Sequence, residues 1–251
     1  HPRFGIEHEF FVLDNQTKNP LGFKKINSSI FRQDLPFNNS SNGIVQYEPE
    51  NPQGQYYCSV GSNNAYGRQF LQECLDKAIN CGVKVTGSNM EVAPGQMEIQ
   101  VCNDGLDAAD DSSILKYILS RVGESYDYII DWSAKPVKGD WNGSGCHVNF
   151  STIQMREEGG WEYITRAIEN LKIKHKEHIE VYGEDNNLRL TGKHETSSIE
   201  EFSCGVANRG SSIRIPRETA LNQRGYFEDR RPSSSSDMYL VTSKLYNTSI
   251  M

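Results

Sequence analysis

The chain has 251 residues, of which 36% are hydrophobic and 24% charged, and its formal net charge is −7. This length is enough to bury a large core in one large domain or two small ones, and it excludes a peptide-sized module. The absence of any run of about 18 or more apolar residues disfavours a membrane protein. The negative charge disfavours general binding to nucleic-acid phosphates and favours the binding of cations.

Six cysteines lie far apart in the sequence, and no two of them form a Cys-x-x-Cys pair. A chain of this size does not need disulfides for stability, and the spacing does not match a zinc framework. We therefore expect reduced thiols and a cytoplasmic location. A targeting signal upstream of His1 is left open.

The first predicted element is a strand from Gly5 to Leu13, an apolar run that contains two acidic residues. Side chains alternate along a strand, so Glu7 and Glu9 share one face. Neighbouring carboxylates repel each other, and burying them requires a cation or the uptake of a proton. The alternative is a pair of exposed glutamates at a sheet edge.

Residues 14–57 are rich in Asn, Ser, Pro and Gly, which predicts a long surface excursion with room for one hairpin. After it, apolar residues recur every three or four positions in three stretches, which predicts three helices. His175 and His178 fall in the third helix among Lys and Glu, and we expect both on the surface. The helices are predicted from about Phe70 to Ile79 with a stop at Gly82, from a cap at Ser112 or Ser113 to Val122, and from about Trp161 to Ile179 with a stop at Gly183.

Further strands are predicted between these helices. More than one strand separates consecutive helices, which indicates an α+β fold with a curved antiparallel or mixed sheet flanked by helices. The predicted strands cover residues 83–85, 96–101, 128–131, 147–151 and 206–215.

A second pair of carboxylates, Glu91 and Glu98, brackets the sequence Pro94-Gly95. A regular helix is excluded there, so the pair must flank a turn that leads into a strand. Such a turn can direct both carboxylates to one point. Ordinary exposed glutamates are the alternative.

A glycine-rich loop at 141–145 leads into the strand at 147–151. His147, Asn149 and Ser151 share one face of this strand and give it a polar surface. A hydrogen-bonded core histidine is the alternative interpretation. The loop lacks the terminal Gly-Lys-Ser/Thr of a phosphate-binding P-loop.

The last third of the chain is rich in arginine and also contains Glu195 and Glu228. Arginine binds phosphates and carboxylates through two parallel hydrogen bonds, although surface ion pairs would use the same residues. Five candidate acidic ligands bring about five negative charges, which two divalent cations would nearly neutralise and three would exceed. This balance is typical of phosphoryl transfer at two or three metal ions. The arginines are Arg189, Arg209, Arg214, Arg217, Arg224, Arg230 and Arg231.

Six motifs in the same order resemble glutamine synthetase of the eukaryotic type II form, and the resemblance covers nearly the whole chain. It implies the glutamine synthetase catalytic fold and the ATP-dependent ligation of ammonia to L-glutamate through a γ-glutamyl phosphate. The motifs are Gly-Ile-Glu-His-Glu at 5–9, Glu-Val-Ala-Pro-Gly-Gln-Met-Glu at 91–98, Asn-Gly-Ser-Gly-Cys-His-Val-Asn-Phe-Ser at 142–151, Arg-Leu-Thr-Gly-Lys-His-Glu-Thr at 189–196, Ala-Asn-Arg-Gly-Ser-Ser-Ile-Arg-Ile-Pro at 207–216 and Tyr-Phe-Glu-Asp-Arg-Arg-Pro at 226–232.

The resemblance assigns metal ligands residue by residue, for two or three Mg²⁺ or Mn²⁺ ions. One ion would lie beside glutamate and the acyl phosphate, and another would bridge the phosphates of ATP. The glutamate-side ligands would be Glu9, Glu91 and Glu98, and the ATP-side ligands would be Glu7, His147 and Glu228.

The resemblance also assigns contacts to glutamate and ATP. Glu195 would lie on a flap that closes over the site, shields the acyl phosphate from water and helps to deprotonate ammonium. Arg209 and Arg230 would act in catalysis with Glu195. The substrate contacts would be Asp140, Trp141, Arg189, Arg209 and Arg230, and the nucleotide contacts Asn149, Ser151, Arg209, Arg214 and Tyr226.

Members of this family begin with a small β-grasp domain, and we expect residues 1–251 to be a catalytic domain without it. In the family this domain completes the active site of a neighbouring subunit, so the resemblance implies a ring-forming, decamer-like homo-oligomer. Two alternatives are left open. One is an inactive relative that acts as a binding or scaffold protein, and the other is a γ-glutamyl ligase that uses another amine.

Overall fold

The structure is a computed structural model that describes residues 1–25, 47–49 and 52–251. Ten strands and seven α-helices occur in these residues. The strands are β1 (Arg3–Asp14), β2 (Phe23–Lys25), β3 (Tyr47–Pro49), β4 (Val85–Met90), β5 (Gln96–Asp104), β6 (Tyr128–Asp131), β7 (Cys146–Ser151), β8 (Cys204–Val206), β9 (Ile213–Ile215) and β10 (Phe227–Asp229). The helices are α1 (Arg68–Asn80), α2 (Asp107–Ser125), α3 (Ile153–Arg156), α4 (Gly160–Ile173), α5 (His175–Ile179), α6 (Arg217–Asn222) and α7 (Met238–Ser249).

One sheet of eight strands contains every strand of the described residues except β2 and β3, which pair with each other. The sheet has the order β4-β5-β1-β7-β10-β9-β8, and β6 pairs with the end of β1. Its neighbours are antiparallel apart from the parallel pair β8 and β9. The sheet is therefore mixed, and β1 lies at its centre.

The two faces of β1 have different partners. Ile6, His8 and Phe10 are fully buried on the face that packs against the helical layer, and His8 Nε2 lies 2.9 Å from Ser112 Oγ in α2. Glu7 and Glu9 lie on the opposite face, as the alternation of side chains predicts. The strand thus divides the core from the candidate site.

The turn between β4 and β5 has the shape predicted for Pro94-Gly95. The Glu91 amide donates to the Gln96 carbonyl at 2.9 Å. Gly95 has a φ of 75°, and a Cβ there would lie 2.7 Å from the backbone nitrogen of Leu21. Only glycine fits this position, so the local sequence fixes where Glu91 sits relative to β5.

The predicted start of the second helix is wrong. Helix α2 begins at Asp107 and not after a cap at Ser112 or Ser113. Asp107 and Asp110 lie in the first turn, where negative charge is favourable. Ser112 instead lies inside the helix, and its hydroxyl donates to the Ala108 carbonyl at 2.8 Å.

The predicted third helix is interrupted at Lys174, which separates α4 from α5. Its two histidines were expected on the surface, and this expectation is wrong because His175 is 8% exposed and His178 is fully buried. Both rings bind residues that are distant in sequence. His175 contacts Arg231, and His178 contacts Thr248.

The single strand predicted over 206–215 is also wrong. Two short strands, β8 and β9, pair in parallel, and the chain between them makes a turn in which Ala207 has a φ of 51°. Strand β6 covers the predicted residues 128–131. The strand predicted at 83–85 is found two residues later, as β4 at Val85–Met90. The other predicted strands occur with shifted ends. Most of the predicted excursion at 14–57 lies outside the described residues.

The α+β class and the mixed sheet flanked by helices are confirmed. No helix among residues 1–25, 47–49 and 52–251 is both long and apolar enough to cross a membrane.

Candidate active site

The register of the central strands collects acidic side chains from separate parts of the sequence. Glu9 on β1 lies directly opposite Glu98 on β5. On its other side β1 pairs with β7, and there Glu7 lies opposite His147. Glu228 on β10 is one strand further along, opposite Asn149 of β7.

Two groups of three metal-ligating side chains result. Within each group one donor atom of every residue lies within 4.8 Å of the others. His147 Nδ1 lies 3.3 Å from Glu7 Oε2, 3.6 Å from Glu228 Oε1 and 3.8 Å from Glu9 Oε1, so the groups adjoin. The groups are Glu7, His147 and Glu228, and Glu9, Glu91 and Glu98.

Neutral amides hold these carboxylates in place. Gln100 Nε2 donates to Glu98 Oε1 at 2.6 Å. Glu9 Oε2 accepts from the backbone amide of Gly145 at 2.8 Å. Such donors orient a carboxylate without neutralising it, which leaves its charge for a bound cation.

Burial and mutual repulsion perturb the protonation of both groups. Desolvation, with the charges of Glu7 and Glu9, raises the pKa of Glu98 to about 8. Desolvation and neighbouring carboxylates also raise the pKa of Glu91 well above its usual value. Burial, together with the charge of Arg230, lowers the pKa of His147 to about 3, so this imidazole is neutral.

Carboxylate oxygens and one neutral imidazole are the donors that Mg²⁺ and Mn²⁺ accept. Carboxylates that repel each other strongly enough to retain protons would ionise on binding a divalent cation. The side chains present therefore fit two adjacent divalent ions. That they hold ions stays a prediction.

A cavity of about 190 Å³ adjoins the two groups, and both arginines and glutamates line it, namely Arg189, Arg209, Arg214, Arg230, Glu7, Glu9, Glu91, Glu98 and Glu195. Arg230 Nη1 donates to the fully buried Glu228 at 2.7 Å, and Arg214 forms an ion pair with the same carboxylate. Glu228 thus stands between cationic side chains and His147.

Arg189 is 5% exposed, and burial lowers its pKa to about 10. Its Nη2 donates to the carbonyls of Arg230, Arg231 and Pro232 at 3.0, 2.8 and 2.8 Å. The guanidinium therefore joins the segment that follows β10 to the wall of the cavity, in addition to lining it.

Glu195 lies at the mouth of the cavity. Its carboxylate is 3.3 Å from Arg209 Nη1, and its backbone carbonyl accepts from Arg230 Nη2 at 3.3 Å. Arg209 also donates to the hydroxyl of Tyr57 at 3.3 Å and lies over its ring. Three separate segments therefore meet around one guanidinium.

Residues 1–159 match the family model "Glutamine synthetase, catalytic domain". A putative glutamine synthetase of Acanthamoeba polyphaga mimivirus is 47% identical over 248 residues, which are 98% of this chain and 64% of that protein. The chain belongs to the glutamine synthetase family.

Two plant members of the glutamine synthetase family match over similar lengths. The chloroplastic/mitochondrial enzyme of Arabidopsis thaliana is 45% identical over 251 residues, which are 100% of this chain and 54% of the relative. A cytosolic isozyme of Pinus sylvestris is 43% identical over 249 residues, which are 99% of this chain and 64% of the relative. The chain thus spans between about half and two thirds of the length of these relatives.

The structure brings together the six residues for which the glutamine synthetase resemblance implied metal binding, in the same two sets. Three residues expected to contact the nucleotide, Asn149, Ser151 and Tyr226, do not line the cavity. Asn149 Nδ2 donates to Glu7 Oε1 at 2.8 Å, and the Ser151 hydroxyl binds Arg156. Tyr226 is 43% exposed. Their contact with nucleotide stays a prediction.

The two residues expected to touch glutamate from the loop before β7 also lie outside this lining. Asp140 has a side chain that is 92% exposed and binds His194. Trp141 packs its ring against Phe23, with centroids 5.6 Å apart. Their substrate contacts stay predictions as well.

Several cavity residues were not identified from the sequence. Gln100 shares the face of β5 that carries Glu98, so alternation along that strand could have found it. Tyr57 and His194 carry no such signal, because their partners lie far away in sequence.

Proposed function

We propose that the protein joins ammonia to L-glutamate with hydrolysis of ATP to ADP and phosphate, through a γ-glutamyl phosphate. The observation that carries this proposal is the pair of adjoining ligand groups beside a cavity that arginines also line. Such a site separates the binding of cations from the binding of anionic substrates. Membership of the glutamine synthetase family supports it.

Divalent Mg²⁺ or Mn²⁺, when bound, would supply the positive charge that offsets the phosphates and polarises the reacting oxygens. Glu9, Glu91 and Glu98 would hold an ion near glutamate. Glu7, His147 and Glu228 would hold an ion near the phosphates of ATP. The family implies ATP and divalent metals in general, and the choice of ions is our proposal.

The arginines would bind and orient the anionic groups. In this proposal Arg189, Arg209 and Arg230 contact glutamate and the transferred phosphoryl group, while Arg214 contacts a nucleotide phosphate. Asp140 and Trp141 complete the glutamate side. Guanidinium groups suit these roles because they donate two parallel hydrogen bonds to carboxylate or phosphate.

Glu195 would take a proton from ammonium at its carboxylate. The resulting ammonia attacks the γ-carbonyl carbon and a C–N bond forms. The C–O bond to phosphate breaks, phosphate leaves with the electron pair, and it takes up the further proton that the nitrogen loses as the amide forms. Closure of the Glu195 segment would also keep water from the acyl phosphate.

Assembly and location are proposals of the same kind. We propose that residues 1–251 are a catalytic domain, that the whole protein forms a ring-shaped homo-oligomer, and that it acts in the cytoplasm. The relatives include a cytosolic isozyme and a chloroplastic/mitochondrial one. Analytical ultracentrifugation and cell fractionation test the last two statements.

The test of the reaction uses the longest polypeptide that the gene encodes. We expect phosphate release that requires glutamate, ammonium, ATP and Mg²⁺ or Mn²⁺ together. Mg²⁺ with a non-hydrolysable ATP analogue should raise the melting temperature by mass action, and Glu98→Ala should remove that gain. The exposed Glu158→Ala is the matched control.

The outcomes separate the alternatives. Stabilisation by metal and nucleotide without turnover would support an inactive binding relative. Turnover with a small primary amine in preference to ammonium would support another γ-glutamyl ligase. An unchanged melting temperature with metal and nucleotide would sink the metal-site proposal.

A further inference from the structure

The segment that carries Glu195, residues 190–198, has an unusual backbone. His194 and Glu195 have φ angles of 53° and 59°, so two consecutive residues with a Cβ adopt the left-handed conformation. This conformation is unfavourable outside glycine and persists only where surrounding contacts hold it. His194 itself makes such contacts.

The ring of His194 connects three segments of the chain. Its Nε2 lies 2.9 Å from Asp140 Oδ1, and its Nδ1 lies 3.0 Å from Gln53 Nε2. Gln53 Oε1 in turn accepts from the backbone amide of Asn142 at 2.9 Å. The side chain of His194 is 20% exposed, so these contacts are partly shielded from water.

This network selects one tautomer of the neutral ring. The oxygen of Gln53 is occupied by the Asn142 amide, so its NH₂ group points to His194 Nδ1, which must accept. The proton of a neutral ring is then on Nε2, where it donates to Asp140. A proton on Nδ1 would face the NH₂ group of Gln53, so two donors would meet without an acceptor.

The same network reaches the candidate metal groups. Asn142 and Gly143 line the cavity, and the carbonyl of Gly143 accepts from Gln96 Nε2 at 3.1 Å. Gln96 Nε2 also lies 3.4 Å from Glu9 Oε2. His194 thus connects the Glu195 segment to the loop that borders the glutamate-side group.

We propose that His194 is a positioning residue whose Nε2–H tautomer fastens residues 190–198 to Gln53 and Asp140 and so holds Glu195 over the cavity. The role of Glu195 rests on the proposed function. The fastening itself does not, because it follows from the contacts of His194.

Hydrogen–deuterium exchange on the metal-free protein tests the fastening without any assay of activity. Replacing His194 by Phe keeps a ring and removes two hydrogen bonds, and we expect the amides of 190–198 to exchange about tenfold faster. Lys193→Ala, an exposed neighbour on the same segment, should leave the exchange unchanged. Helix α1 serves as the internal reference.

Two conservative variants separate the contribution of the Asp140 contact from that of the Gln53 contact. His194→Gln can place a donor near Asp140, and His194→Asn can place an acceptor near Gln53, so each should restore part of the protection. Gln53→Leu tests the same contact from the other side, and combined with His194→Phe it should add less than its single effect. Exchange in His194→Phe equal to that of the wild type would overturn the proposal.

The tautomer has its own readout. Nitrogen NMR of ¹⁵N-histidine-labelled protein should show His194 with a protonated Nε2 and an unprotonated Nδ1. A neutral ring protonated on Nδ1 would overturn the proposed arrangement.

Kinetics then separate the two proposals. In an active protein, His194→Phe should raise KM for ammonium and the fraction of ATP hydrolysed without glutamine formation, with KM for ATP unchanged. Faster exchange in a protein without ligase activity would leave the fastening intact and refute the proposed function. A raised KM for ATP alone would overturn the positioning of Glu195.

Discussion

Residues 228–231, at and just after strand β10, serve two charged clusters that lie on opposite sides of the chain. Glu228 and Arg230 face the candidate site, while Asp229 and Arg231 face the core, where both are fully buried. Arg231 donates to Asp229 through Nε at 2.8 Å and Nη2 at 2.6 Å. Tyr182 donates to the same carboxylate at 2.7 Å.

The two clusters differ in how their carboxylates are balanced. Burial alone would raise the pKa of Asp229, but the charge and hydrogen bonds of Arg231 hold it below its usual value. Glu98, buried among other carboxylates, has a pKa raised to about 8. Burial therefore does not distinguish the core cluster from the carboxylates around Glu98, whereas the missing counter-charge at Glu98 does; Glu228, which Arg214 and Arg230 contact, resembles Asp229 in this respect.

The largest effect should come from the core cluster. Asp229→Asn leaves the guanidinium of Arg231 buried without its partner charge, and we expect the free energy of unfolding to fall by about 3–5 kcal/mol. Urea unfolding measures it. The exposed Glu158→Gln should change stability by less than about 0.5 kcal/mol. A comparably small change in Asp229→Asn would show that the pair contributes little.

An acid-to-amide substitution in the candidate site should change the free energy of unfolding in the opposite direction. Glu98→Gln removes one repelling carboxylate, so we expect the metal-free protein at pH 8.5 to gain about 1–3 kcal/mol. This variant should also lose the stabilisation by Mg²⁺. A loss of metal-free stability would mean that the hydrogen bond from Gln100 outweighs the repulsion.

The pH dependence gives a finer test. The pKa of Glu98 is raised from an ordinary 4.5 to about 8 in the folded protein, so its contribution to stability is present below pH 4.5 and is lost as the pH rises to about 8. The difference in melting temperature between wild type and Glu98→Gln isolates this contribution from other titrating groups. In EDTA, we expect this difference in melting temperature to grow as the pH rises from 4.5 to about 8. If the pKa of Glu98 were not raised, the difference would not change over this pH range.

Tyr182 supports the smallest prediction. Its hydroxyl donates to Asp229 and lies 2.6 Å from His178 Nδ1. Tyr182→Phe keeps the ring and removes these hydrogen bonds, so we expect a loss of about 1–2 kcal/mol in urea unfolding. Additivity with Asp229→Asn would indicate that the two residues do not act as one network.

The alternation of side chains along β1 and the turn before β5 follow from local rules. Alternation along β1 and β5 places Glu7, Glu9 and Glu98 on one face, and Pro94-Gly95 permits only a turn. Alternation and turn chemistry depend on neighbours in sequence, so local patterns predicted them. The meeting of Glu9 with Glu98 depends on the pairing of β1 with β5, and only the family resemblance predicted the two ligand groups.

The errors arise where distant contacts decide. His175 and His178 stand among charged residues, yet they are buried because Arg231 and Thr248 offer them partners more than fifty positions away. The contact between His194 and Gln53 was not predicted either, because these residues are 141 positions apart. Local periodicity carries no information about such pairs.

The spacing of Glu7 and Glu9 on β1 has a consequence for how this region can change over evolution. Because side chains alternate with a period of two, deleting one residue ahead of this pair would turn both carboxylates into the helical layer and bring His8 into the cavity. Substitutions can alter the two ligand groups separately, since Glu9 pairs with Glu98 and Glu7 with His147. An insertion or deletion of a single residue moves both carboxylates to the other face at once. This strand should therefore keep its length while the chain around it varies.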